Sequence, residues 1–128
     1  MADAVTTQIL VDGVKNAVLK FTNISDGTGE ADVVKVDVST LSGAPSEVRI
    51  DQIWYSTNGM SVLMEWDATT DVPAWLIPLD QSDTLDFAKF GGIDNNAGAG
   101  KTGDILFTTV GHTAGDTYSI ILWVSKLN

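Results

Sequence analysis

The sequence predicts an all-β fold, an antiparallel β-sandwich or jelly-roll-like domain of about seven or eight strands. Short runs rich in valine, isoleucine, threonine and aromatic residues recur, separated by clusters of Gly, Asp, Asn and Pro. These runs are evenly spaced, and no segment shows a convincing helical pattern of about ten residues. The length of 128 residues fits one domain. We expect one sandwich over residues 1–128, in which residues 1–8 could extend as an N-terminal arm.

The first third of the chain alternates strands with loops. The Asp12-Gly13 pair marks a turn between two strands. In the third strand Val34, Val36 and Val38 should share one side, because side chains alternate along a strand. The predicted strands are 8–12, 15–24 and 33–41, and the predicted loops are 25–32 and 42–47.

The Asn58-Gly59 pair lies between two β-rich runs, which is the strongest short-range signal for a β-hairpin. A two-residue turn fixes the register of such a hairpin. One face should then be core and the other mostly polar, with the large apolar pair Trp54–Leu63 in its middle. The predicted core pairs are Tyr55–Val62, Ile53–Met64 and Asp51–Trp66, together with Met60.

The second half begins with an apolar run, 71–80, that Pro73 and Pro78 interrupt. Proline cannot donate to a strand ladder, so this run predicts an edge strand or an extended arm. In the last run, apolar residues occupy both faces, which favours a central strand. The other segments are 84–90, which is ambiguous and could form one helical turn, the loop 91–104, the strand 104–111, the turn 112–116 and the final strand 117–126.

The charge balance disfavours a nucleic-acid partner. Seventeen acidic against seven basic residues give a formal charge of −10, and the basic residues are scattered. Nucleic-acid binding usually requires a basic stripe. No apolar run approaches the ~20 residues of a membrane-spanning helix, and the N-terminus does not resemble a signal peptide. We therefore expect neither a nucleic-acid nor a membrane partner.

Gly100-Lys101-Thr102 resembles the end of a phosphate-binding P-loop, but the rest of that motif is missing. The required first glycine would fall on Asn95, and a strand rather than a helix follows. Metal sites are also weakly supported. Residues 94–100 lack the glycine of a calcium loop, whereas 26–32 places oxygen ligands at alternate positions and could form a weak calcium site. We expect no cofactor.

The sequence offers no catalytic motif. It has no cysteine and no Gly-x-Ser-x-Gly, and its single histidine, His112, lies in a predicted turn. Seventeen carboxylates always permit some pair, so they do not identify a glycosidase. We expect the protein not to be an enzyme. Of the four tryptophans, Trp66 and Trp123 should be packed, which leaves Trp54 and Trp75 as contacts for a sugar or a protein.

The segment 50–126 resembles a family of small structural proteins of tailed bacteriophages, of the aquatic and cyanophage type. The stretches that carry the resemblance are "IWYSTNGM", "LMEWDATTDV", "DFAKFGGIDNNAGAGKTGDILFTTVG" and "AGDTYSIILWVSK". The most specific part is "GGIDNNAGAGKTGDI", which the family would carry as a structural loop. The match covers about two-thirds of the chain.

The resemblance implies a virion component, most simply a capsid cement or decoration protein. Such a protein would be made in the host cytoplasm, bind the major capsid protein on the capsid exterior, and form a dimer or trimer. Two alternatives remain, a carbohydrate-binding module of a tail or fibre, and a small enzyme. The predicted interface residues are Trp54, Leu63, Trp75, Leu76, Asn95, Asn96 and Lys101.

Overall fold

Two antiparallel sheets pack face to face in the computed structural model, which describes residues 4–27 and 29–127. The predicted fold class is therefore confirmed, with nine strands in the described part of the chain instead of seven or eight. The strands are β1 (Ala4–Asp12), β2 (Asn16–Ile24), β3 (Val33–Val36), β4 (Glu47–Asn58), β5 (Ser61–Trp66), β6 (Val72–Ile77), β7 (Ser82–Asp86), β8 (Ile105–Val110) and β9 (Thr117–Leu127).

The five-stranded sheet has the order β1-β2-β9-β4-β7. β9 is its central strand, as the apolar residues on both of its faces predicted. Its inward residues Tyr118, Ile120, Leu122 and Val124 are all buried. The predicted arm is only partly described: residues 4–8 belong to edge strand β1, which pairs with β2, and residues 1–3 lie outside the described residues.

The four-stranded sheet has the order β3-β8-β5-β6. β6 lies at its edge, as expected for a strand that contains Pro73. The core between the sheets is aromatic in its centre, where Phe107 contacts Phe21 and Tyr118 at ring-centroid distances of 5.0 and 6.0 Å. Trp66 is fully buried, which confirms its predicted core position.

The predicted Asn58-Gly59 hairpin is wrong, because β4 and β5 belong to different sheets. The chain crosses between the sheets here. Asn58 pairs with Thr117 of β9, and the Gly59 N–H donates to Asp80 Oδ1 at 2.6 Å. The predicted core residues are nevertheless buried, except for the half-buried Asp51, because alternation along each strand is the same whichever strand it pairs with.

The strand predicted over 33–41 ends early, at Val36. Asp37 caps a 3-10 turn over Val38–Thr40, with its carboxylate accepting from the Ser39 N–H at 3.0 Å. The ladder to β8 is also irregular between Val34 and Val36. As a result Val34 is 47% exposed while Val36 is buried, so these valines do not share one face.

The ambiguous segment 84–90 divides into the end of β7 and a second 3-10 turn, Ala88–Phe90. The edge strand β7 pairs with β4, and the turn that follows carries the exposed ring of Phe90. In the described part of the chain, no helix is long or apolar enough to cross a membrane.

Candidate functional site

The outer face of the five-stranded sheet carries a row of large apolar side chains. On β9, Ile121 and Trp123 alternate with buried residues and therefore point away from the core. Ile121 lies opposite Trp54 of β4, and Trp123 lies opposite Val18 of β2. Trp54 is 37% exposed and the other three are half-buried. We call these four residues the aromatic face.

The aromatic face has a mostly polar and hydrogen-bonding border. Gln52 lies opposite Trp123, Lys20 lies opposite Ile121, and Thr84 lies opposite Trp54. A flat apolar centre with a polar border is the composition of many binding surfaces, where aromatic side chains provide contact area at low entropic cost. In a chain with a formal charge of −10, this face carries few charges.

Sequence reasoning paired Trp54 with Leu63, and the structure separates them. Leu63 lies in the other sheet, opposite Leu76 and Thr108. Leu76 is 58% exposed, so Leu63 and Leu76 form a second, smaller apolar patch on the outer face of the four-stranded sheet. The predicted pair is therefore wrong, although Trp54 and Leu76 are both exposed as expected.

Trp75 does not belong to either outer face. It pairs with Met64 across the ladder, packs against the core, and lies 5.0 Å from the ring of Phe87. The ladder is irregular between Met64 and Glu65, which shifts the phase of β6. Trp75 packs against the core from the four-stranded sheet, whereas Trp54 lies on the outer face of the five-stranded sheet, so the two tryptophans do not form a common stacking surface.

The glycine-rich loop 91–104 is a structural connection whose charged and hydroxyl groups contact the protein itself. Lys101 Nζ lies 2.6 Å from Glu47 Oε2, and Thr102 Oγ1 donates to Asp67 Oδ2 at 2.8 Å. Strand β8 follows instead of a helix, so the loop lacks the helix N-terminus of a P-loop.

The predicted contact residues of this loop differ in exposure. Asn96 and Lys101 are exposed, whereas Asn95 is 8% exposed and accepts from the Ala97 N–H at 3.0 Å through its Oδ1. Asn95 is therefore corrected to an internal position of the loop. Interface roles for Trp54, Leu63, Leu76, Asn96 and Lys101 stay predictions.

The loop 25–32 uses its central acidic side chain, Glu30, for contacts within the protein, and residue 28 of the predicted calcium site lies outside the described residues. Glu30 is buried and forms an ion pair with Lys35, whose side chain is 3% exposed. Glu30 Oε1 also accepts from the Tyr118 hydroxyl at 2.6 Å and from Asn23 Nδ2 at 2.9 Å. The carboxylate that would be a central ligand is thus used to fix the loop between the sheets.

Three carboxylates, one of them from the loop 25–32, lie close together on the outer side of the four-stranded sheet. Oxygens of Asp32, Glu65 and Asp71 all lie within 4.8 Å of one another, close enough to share a cation. Burial, and then the neighbouring Asp32 and Asp71, raises the pKa of Glu65. Asp32 is exposed and the other two are half-buried, and acidic groups at a surface often cluster without an ion, so the trio alone does not identify a metal site.

His112 contacts a hydroxyl, but the geometry does not make that hydroxyl an accessible nucleophile. His112 Nδ1 lies 3.2 Å from Thr109 Oγ1. Thr109 is buried, and its Oγ1 already accepts from the Glu30 N–H at 2.9 Å. The imidazole also packs against Gly29, where a Cβ would stand 2.1 Å from the ring. His112 therefore packs against the loop, whereas the sequence suggested a solvated turn residue.

No family model matches the chain, and no curated protein matches it. The solved structures that resemble it include two point mutants of family 29 carbohydrate-binding modules, at 10% and 9% identity and TM-scores of 0.41 and 0.42. The first alignment covers 96% of this chain and 79% of the other, and the second covers 94% and 91%.

A cupin superfamily protein from Desulfitobacterium hafniense is similar at 12% identity and a TM-score of 0.26, with 100% of this chain and 82% of the other covered. Similarity at this level does not extend to function. The two-sheet arrangement itself is given by the strand pairing of this chain.

Sequence reasoning placed Trp123 among the packed residues and therefore missed the aromatic face. The signal was present, since alternation in 117–126 already put Ile121 and Trp123 on the side away from Tyr118. Local pattern alone could not add Val18 and Trp54 to them, because that juxtaposition depends on β2 and β4 both pairing with β9.

Proposed function

We propose that this chain is a non-catalytic structural component of a tailed-phage virion that binds the outer capsid lattice through its aromatic face. The observation that carries the proposal is the row of Val18, Trp123, Ile121 and Trp54 on three adjacent strands. The resemblance of residues 50–126 to small virion proteins supports the placement. The proposed partners are the major capsid protein and further copies of the chain, as a dimer or trimer.

The geometry suits attachment to a protein lattice. The two packed sheets hold the aromatic face in place, and large apolar side chains of this kind contribute most of the binding energy when a partner surface covers them. The acidic remainder of the surface limits non-specific adhesion to other acidic molecules. A cement subunit needs both properties, because it must bind one repeated surface and no other.

The proposal is tested by adding the protein to capsids that lack it. The exposed part of Trp54, 37% of its surface, corresponds to roughly 90 Å² and about 2 kcal/mol of burial energy. Trp54→Ala should therefore retain its circular dichroism spectrum but bind capsids about 30-fold more weakly. Phe90→Ala is the matched control, because Phe90 is an exposed aromatic residue outside the aromatic face.

Occupancy is read from particles recovered by sedimentation and from cryo-electron microscopy maps. Wild-type occupancy by the Trp54→Ala protein would remove the aromatic face as the attachment surface. Density only at the tail or neck would overturn the capsid assignment.

A carbohydrate-binding module of a tail or fibre is the second candidate, favoured by one observation. Trp54 and Trp123 share a flat sheet face with the hydrogen-bonding side chains of Gln52 and Lys20, and this combination can stack on and orient a sugar ring. Glycan binding that is lost in both Trp54→Ala and Trp123→Ala, with capsid binding intact, would favour this candidate over the first.

A further inference from the structure

A cleft of about 450 Å³ opens at one end of the five-stranded sheet, beside the turn between β1 and β2. The start of β2, the segment 42–45, the start of β4 and the end of β9 form its walls. Its lining combines three cations with three apolar side chains, namely Lys15, Arg49, Lys126, Val14, Pro45 and Leu127.

The charge of this cleft is opposite to that of the chain. Three of the seven basic residues line it, although acidic residues outnumber basic ones by seventeen to seven. Two of these cations are paired with carboxylates beside the cleft, Lys126 with Asp12 and Arg49 with Asp51, so Lys15 supplies most of the positive charge that is left for an anion. The apolar side chains beside the cations make the cleft unlike a simple phosphate site, which is lined by donors alone.

The three cations have different roles. Lys126 is a wall residue, because its side chain is 4% exposed and its ammonium contacts Asp12, the Gly13 carbonyl and, at 2.9 Å, the Ser42 carbonyl. Lys126 and the Ser42 N–H together lower the pKa of Asp12. These contacts hold the turn of β1 and β2 against segment 42–45.

Arg49 and Lys15 are the cations of the cleft whose side chains reach solvent. The Arg49 side chain is one-third exposed and forms an ion pair with Asp51, with 3.6 Å between Nε and Oδ1, while its buried Nε has no hydrogen-bond partner within the described residues. Gly92 leaves room for its stem, since a Cβ there would stand 2.8 Å from Arg49 Cγ. Lys15 is exposed, and its side chain forms no ion pair within the described residues.

We propose that this cleft binds an extended acidic segment of a partner protein. A carboxylate of the segment contacts Arg49 and Lys15, and a neighbouring apolar side chain packs against Val14 and Leu127. Val14 is 91% exposed at the tip of the turn, so it is available for such a contact. A long polyanion such as DNA would meet the acidic surface beyond the cleft, which leaves a short peptide as the better occupant.

This site is distinct from the aromatic face and does not depend on the function proposed for that face. The two adjoin, because Ser125 at the cleft is two residues from Trp123 along β9 and lies opposite Arg49. One partner could therefore contact both, with its flat surface on the tryptophans and its acidic segment in the cleft.

The test is an NMR titration of the full chain with the peptide N-acetyl-Leu-Glu-Leu-Glu at low salt. We expect chemical-shift changes at the amides of residues 14–16, 42–44 and 46. Arg49→Gln should weaken binding about tenfold, because a charge-assisted hydrogen bond is lost. Lys89→Gln is the matched control, since Lys89 is an exposed cation on the second 3-10 turn, outside the cleft; it should change binding less than twofold.

Several outcomes would overturn the proposal. These are the absence of cleft shifts at millimolar peptide, equal binding of N-acetyl-Leu-Gln-Leu-Gln, and equal binding by a correctly folded Arg49→Gln protein. Sedimentation decides between a partner and a second copy: self-association that Arg49→Gln abolishes would assign the cleft to another copy of this chain and overturn the partner assignment.

Discussion

The buried ion pair between Glu30 and Lys35 gives the sharpest stability prediction. Replacing Lys35 with Met removes the cation and leaves the Glu30 carboxylate between the sheets with the Tyr118 hydroxyl and the Asn23 amide as its side-chain partners among the described residues. Removing one partner of a buried ion pair costs about 3–5 kcal/mol. For 128 residues, the entropy of unfolding is roughly 0.27 kcal/mol/K, so Lys35→Met should lower Tm by about 11–18 °C.

The assay is thermal and urea unfolding followed by circular dichroism, with two comparison proteins. Lys101→Met removes an exposed pair with Glu47 and should cost no more than about 1 kcal/mol. The double variant Glu30→Gln/Lys35→Met removes both charges while the amide can keep the bonds to Tyr118 and Asn23, so most of the stability should return. If Lys35→Met were no worse than Lys101→Met, the reasoning would be refuted.

Two further predictions concern single positions. Because burial and then Asp32 raise the pKa of Glu65 above its ordinary value, the native state holds that proton more tightly than the unfolded state. The protein therefore loses stability as the pH rises from below the ordinary pKa to above the raised one. Glu65→Gln should thus raise Tm at about pH 7, where the carboxylate is charged, but not at about pH 3. An equal rise in Tm at both pH values would show that the charge of Glu65 is not what destabilises the protein. Gly103→Ala should lower the free energy of unfolding by more than about 2 kcal/mol. At this position φ is +90°, and a Cβ would stand 2.1 Å from the Ser46 carbonyl oxygen. Gly111→Ala should lower the free energy of unfolding by about 1 kcal/mol, because φ is also positive there but a Cβ would meet open space. Equal losses of stability in the two variants would refute the steric argument.

Alternation along single strands predicted most of the fold, and long-range pairing decided what it missed. The inward residues of β9 and its central place followed from 117–126 alone. The crossing at Asn58-Gly59 could not, because a turn between sheets and a hairpin turn use the same residue types. The choice depends on β4 pairing with β9 and on Asp80 accepting from Gly59, more than twenty residues away.

The candidate site was predictable to a similar degree. Exposure of Trp54 followed from its position in β4, but Trp75 was misplaced because its face is set by the pairing of β6 with β5, which puts Trp75 opposite the buried Met64. The buried network around Glu30 was also missed. Its members come from a loop, β2, β3 and β9, and no sequence spacing connects them.

The central place of β9 also determines when the chain can fold during synthesis. Glu47 pairs with Leu127 and Asn16 pairs with Ser125, so both halves of the five-stranded sheet are joined by β9, which is made after the other eight described strands. Until residues 117–127 leave the ribosome, β2 and β4 have exposed edges and a half-formed core. Pairing between strands so far apart in sequence is slow, and until it occurs the unpaired strand edges can associate with other nascent chains. Chaperones that shield strand edges should therefore raise the yield of this protein when many copies are made at once.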